Sequence, residues 1–78
     1  MTPEAIAALL LSLGYTRRPS PRNRHLWSKP DGTRAYGTDL YAALRPHLVP
    51  MDPFRLYGFD SANLARVAEE ADRLSPHA

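Results

Sequence analysis

The sequence predicts a small α+β domain of two layers, with helices packed on one face of an antiparallel sheet. Three observations carry this expectation. Apolar residues recur at helical spacing near both ends of the chain: Ile6, Leu9, Leu10 and Leu13, then Leu64, Val67, Ala68, Ala71 and Leu74. Between them, Lys29-Pro30-Asp31-Gly32 sets Pro at the second and Gly at the fourth position of a turn, flanked by two short runs able to pair as strands. The chain has 78 residues, the length of a single domain, and its 44% hydrophobic content is enough for a core.

The first helix is expected over about 3–13. Thr2 can cap it, Pro3 suits its first position, and Glu4 meets the positive end of the helix dipole. Gly14 supplies the left-handed residue at its end. Leu11 falls off the apolar stripe and is expected either under a loop or in an exposed apolar spot. Tyr15 to Arg18 reads as a short strand. Pro19-Ser20-Pro21 then breaks regular structure, because each proline removes a backbone donor and restricts its predecessor. Residues 18–23 are therefore expected as an exposed, flexible basic loop.

The hairpin is expected at about 24–28 and 33–36. Alternation over 24–28 sets His25 and Trp27 on one side and Arg24, Leu26 and Ser28 on the other. The open face of the sheet would then carry either His25/Trp27 or Arg24/Leu26. After Gly37, Thr38 or Asp39 caps a helix over about 39–45 that turns Leu40, Tyr41, Leu44 and Leu48 inward. Pro46 interrupts it. Pro50 and Pro53 make an irregular connector, and Phe54 to Phe59 reads as a further short strand. Asp60 or Ser61 caps the last helix, over about 61–74, which carries the i,i+4 pairs Arg66–Glu70 and Glu69–Arg73. The tail, 75–78, is expected to fray.

Function is written mainly in charge and aromatics. Net charge is only +2. Yet Tyr15–Gly37 holds Arg17, Arg18, Arg22, Arg24, Lys29 and Arg34 against one acid, Asp31, and also holds the only Trp. The last helix carries an acidic excess through Asp60, Glu69, Glu70 and Asp72. This polarity can steer an anionic partner to one side. The absence of Cys rules out disulfides, thiolate metal ligands and thiol chemistry. His25, His47 and His77 lack partners at metal-ligand spacing, so no metal is expected. No glycine-rich phosphate loop and no nucleophile elbow occur, and no cofactor is expected. Neither a secretory leader nor a membrane-spanning run is present, which favours a cytoplasmic protein.

The residues expected to bind are Arg17, Arg18, Arg22, Arg24, Trp27, Lys29, Arg34 and Tyr36, since Arg and aromatic side chains anchor both protein and nucleic-acid contacts. Trp27 is open to a second reading, as a core residue on the inner face of the hairpin. The expected partner is a protein or ribonucleoprotein complex with an acidic or phosphate-bearing surface, met by a monomer or weak dimer. His25 is the candidate catalytic group: a neutral imidazole among arginines suits base catalysis of RNA cleavage. A DNA-binding regulator ranks third, because the Pro50–Phe59 connector is too long for a helix-turn-helix.

Two resemblances bear on these alternatives. The helix, Gly14-Tyr15, the basic segment and Arg24-His25-Leu26-Trp27-Ser28-Lys29-Pro30-Asp31-Gly32 resemble, over about residues 4–32, the front half of HicA toxins. That resemblance implies a double-stranded-RNA-binding-like fold and ribonuclease activity, with His25 in the place of the catalytic histidine. Asn23-Arg24 stands where that family carries Gly-Ser. In size and character the chain also resembles phage-encoded anti-CRISPR inhibitors, which implies a non-enzymatic protein that acts by occupying a surface of host machinery.

Overall fold

Local chemistry at the chain's start builds its first helix. In the computed structural model, which describes residues 1–75, the Thr2 hydroxyl accepts from the Ala5 N–H at 3.1 Å and α1 runs Pro3–Ser12. Its end is closed by two backbone bonds, Tyr15 N–H to Leu10 O at 3.0 Å and Gly14 N–H to Leu11 O at 3.1 Å. This is the Schellman arrangement, and Gly14 takes the positive φ it demands, +94°. Ile6, Ala7 and Leu10 are fully buried, and Leu11 packs against the core, so it forms no exposed apolar spot.

The sheet is three-stranded, antiparallel and very short, in the order β1 (Thr16–Arg17), β2 (Trp27–Ser28), β3 (Arg34–Ala35). Its register pairs Arg17 with Trp27 and Trp27 with Ala35, which sets these three on one face. Thr16, Ser28 and Arg34 occupy the other. The turn forms as its residues require: Gly32 N–H donates to Lys29 O at 2.9 Å, and Lys29 N–H to Thr33 O at 2.7 Å. The Asp31 carboxylate accepts from the Thr33 N–H at 2.9 Å and the Thr33 hydroxyl at 2.6 Å. Pro30 lies against the end of α1, where a Cβ on Gly14 would stand 3.2 Å from its Cγ.

The expected alternation over 24–28 does not hold. Arg24 and His25 sit in a turn, where the Asn23 side chain accepts from the His25 N–H at 3.0 Å. Regular pairing therefore begins only at Trp27. Leu26 and Trp27 are both buried while Arg24 and His25 are both exposed.

Helix α2 spans Gly37–Leu44, with Asp39 Oδ2 accepting from the Tyr36 N–H at 2.9 Å, so helix starts two residues before the expected boundary. Pro46 does end it, and a 3₁₀ turn follows at Arg45–His47. Leu40, Leu44 and Leu48 are buried, and the Tyr41 hydroxyl donates to Arg55 O at 2.6 Å.

The expected strand over Phe54–Phe59 is instead a short helix, α3, Pro53–Tyr57. Its cause is an N-terminal cap. Asp52 is buried and accepts from the Phe54 N–H at 2.9 Å, and Pro53 occupies the first helical position. Met1's amino group pairs with the same carboxylate. Phe54 packs obliquely on Phe59 at 5.8 Å between ring centres, and Phe59 meets Tyr41 edge-on at 6.5 Å.

The last helix, α4, spans Ser61–Leu74, and of the two candidate caps Asp60 does the work, accepting from the Asn63 N–H at 2.8 Å. It packs chiefly on α1, and Val67, Ala68 and Ala71 are buried there. The expected i,i+4 pairs are not the ones formed. Arg73 reaches Glu70 on its own helix and Glu4 on α1, the latter at 3.6 Å, because α1 lies alongside. Of the expected frayed tail, residues 76–78 lie outside the described residues.

One core results, in which Trp27 and Ala35 from the sheet meet Ile6, Leu10, Leu40, Leu44, Val67 and Ala71 from the helices. The two-layer α+β arrangement is as expected from the sequence. Among the described residues no helix is long and apolar enough to cross a membrane.

Candidate functional site

The basic stretch divides between the two faces of the hairpin. On the inner face Arg17 is nearly enclosed, with its side chain only 7% exposed. Its Nε donates to Asp72 Oδ1 on α4 at 3.0 Å, and Nη1 donates to Leu26 O at 2.9 Å. Nη2 donates to Arg24 O, and the guanidinium lies 5.5 Å from the centre of the Trp27 ring. Arg17 thus joins β1, the 24–26 turn and α4, and its expected place on the binding surface is corrected by these bonds. Trp27 is fully buried, so the core reading of this residue is the one realised. Its indole N–H has no hydrogen-bond partner among the described residues.

On the outer face the 18–23 loop folds over the sheet and closes on itself. Ser20 and Asn23 exchange backbone bonds at 3.0 and 3.1 Å, and the Ser20 hydroxyl also accepts from the Asn23 N–H at 3.1 Å. Arg18 N–H extends the β1–β2 pairing to Leu26 O at 2.9 Å, and Arg18 Nη1 donates to Gly32 O at 3.2 Å. Loop and sheet enclose a concavity of about 530 Å³. Leu26 lies in it, Pro19 and Pro21 help form its wall, and Arg18, Arg22, Arg34 and Tyr36 border it. Tyr36 is 52% exposed.

The electrostatics of this concavity are one-sided. Among the described residues no carboxylate lines it, and none of Arg18, Arg22 or Arg34 forms an ion pair. Like charges gathered without counter-ions cost free energy, which an anionic ligand would recover. Leu26 and the two prolines provide an apolar base, and apolar walls with a few convergent polar groups are the usual composition of a ligand site. The open face of the sheet is therefore the Leu26 face, without the Arg24 expected beside it.

The remaining predicted residues lie elsewhere. Lys29 faces Asp39 across 3.6 Å, so its charge is partly answered. Arg24 and His25 line a second, smaller hollow of about 270 Å³ on the α4 side, together with Arg17, Glu69 and Asp72. His25 does not line the basic concavity, and its hollow is shared with two carboxylates. Among the described residues no group of three or more His, Cys, Asp or Glu side chains gathers as a metal site. His77 falls outside the described residues.

Sequence reasoning missed Leu26, Pro19, Pro21 and Asn23 as parts of one site with the arginines. The available signal was the length of the connection: nine residues, 18–26, separate β1 from β2, enough chain to fold back beside one face of the sheet. Searches against protein-family models, curated proteins and solved structures each return no match.

Proposed function

We propose that this chain is a non-enzymatic binding protein that seats the outer face of its hairpin and its 18–23 loop on an anionic surface of a larger protein or ribonucleoprotein complex. In that mode it would block the surface it covers, as a small mobile-element inhibitor of host machinery does. The observation that carries the reading is that Arg18, Arg22 and Arg34 border one concavity, which no carboxylate among the described residues lines, beside an exposed Tyr36. Arg and Tyr side chains are the common anchors of such contacts. Charge of one sign around a concave surface also speeds encounter with an oppositely charged partner.

The test is recovery of the partner on tagged protein from host cells, compared with an Arg22→Glu/Arg34→Glu variant and an Arg73→Glu control on α4. Loss in the first variant alone supports the reading. Equal recovery by all three proteins rejects the outer face as the interface.

Ribonuclease activity, with His25 as base, is the competing reading. It draws on the exposure of His25 and its position next to Arg24. Glu69 and Asp72 oppose it, because a phosphate entering that hollow would meet two negative charges. RNA cleavage by the purified protein that disappears in His25→Ala would establish that reading in place of the binding one.

A further inference from the structure

We infer that the outer-face concavity takes single-stranded nucleic acid, with phosphates held by Arg18, Arg22 and Arg34 and an unpaired base stacked on Tyr36. The inference rests on the binding reading above and names the chemistry of the contact.

The pattern of the site selects this ligand. Three guanidinium groups without ion-pair partners among the described residues border one hollow, and each can hold a phosphate through two parallel hydrogen bonds. Tyr36, a residue 52% exposed, stands at the same hollow. Phosphate-binding charge beside an exposed aromatic residue is the combination on which single strands are held, because every base has a face to stack. The hollow's volume, about 530 Å³, is that of a small-molecule site, so it can admit a base and its sugar-phosphate.

Duplexes fit poorly. In a duplex each base is already stacked on its neighbours, so Tyr36 would find no free base face. The hollow, about 530 Å³, is also of a size for a single nucleotide rather than for a base pair with both of its backbones. An acidic peptide would satisfy the arginines and leave the Tyr36 ring without a stacking partner.

Fluorescence anisotropy with the purified full chain decides the matter, using fluorescein-labelled dT12 and rU12, a 12-base-pair duplex, and a Glu/Asp-rich peptide. Folding of every variant is checked by the emission of buried Trp27. Expected results are binding of both single strands at least tenfold tighter than the duplex or the peptide. Neutralising about three phosphates predicts a slope near −2 for log affinity against log salt. Tyr36→Ala should weaken binding about tenfold, Tyr36→Phe less than threefold, and Arg22→Glu/Arg34→Glu should abolish it. Arg73→Glu should stay within twofold.

Equal affinity for duplex and single strand, or an unchanged affinity in Tyr36→Ala, overturns the inference. So does binding of the peptide but not the oligonucleotides, although that result leaves the broader binding reading standing. If the Arg22→Glu/Arg34→Glu variant loses its cellular partner while no oligonucleotide binds the parent protein, only the inference made here fails.

Discussion

Replacing Arg17 tests the division of the basic stretch most directly. Arg17→Ala removes an ion pair, two bonds to backbone carbonyls and a cation–ring contact in one step. Asp72 is 43% exposed on its side-chain surface, so the pair itself is worth only about 0.5 kcal/mol. The bond to Leu26 O is part-buried and charge-assisted, worth about 1.5 kcal/mol, while the one to Arg24 O sits at the exposed rim and counts for less. The contact with the Trp27 ring adds about 0.5–1 kcal/mol. A loss near 3 kcal/mol is the expectation, a large part of the ~4–12 kcal/mol that a domain of this length has in total. With a urea dependence of about 1 kcal/mol per molar, the unfolding midpoint should fall by about 3 M, read from the fluorescence of the single, buried Trp27. Arg17→Lys keeps charge without the fork and should lose about half as much. Asp72→Asn should shift the midpoint by less than about 1 M. An Arg17→Ala midpoint within about 0.5 M of the parent would refute the structural role, and a stable variant that fails to bind would return Arg17 to the interface.

Other positions give independent checks. Trp27→Phe should cost about 1–2 kcal/mol through lost volume and a smaller ring under Arg17, with no hydrogen bond of the indole N–H to lose among the described residues, whereas Trp27→Ala should cost about 3–5 kcal/mol in thermal unfolding. Gly14→Ala should lower stability by about 1–2 kcal/mol, more than Gly32→Ala, since both have positive φ but only Gly14 has Pro30 within 3.2 Å of a new Cβ. The Thr33 hydroxyl, then its N–H, hold the Asp31 carboxyl below its ordinary 3.8. The turn's contribution to stability is therefore complete above that value and is lost as pH falls through the lower, folded one. NMR titration of Asp31 should move toward the ordinary value in Thr33→Val.

Where structure follows from contacts a few residues apart, it was legible. The Thr2 cap, the Gly14 terminus, the Lys29–Gly32 turn and the stop at Pro46 all follow from groups within one turn of each other. Phe54–Phe59 reads as a strand on the β-preference of its aromatic residues, but the Asp52 cap and Pro53 at the first helical position prevail and start a helix. Arg17 could not be placed by inspection, since its burial depends on Asp72, 55 residues away. Likewise Arg73 prefers Glu70 and Glu4 to the expected Glu69, a choice made by the packing of α1 on α4. The binding surface was half legible. Its charge shows in composition, but which arginines share a face depends on a register that begins at Trp27 rather than Arg24.

The strands are two residues long, and this brevity has an evolutionary consequence. So few ladder bonds mean that the hairpin is held through its inward side chains and its turn. Arg17, Trp27, Ala35, Pro30 and Gly14 are thus the positions where drift is punished. Positions 16, 22, 34 and 36 are exposed, support little of the scaffold and can change without loss of the fold. The hairpin can therefore acquire a new target by substitution on one side, without renegotiating how the domain folds.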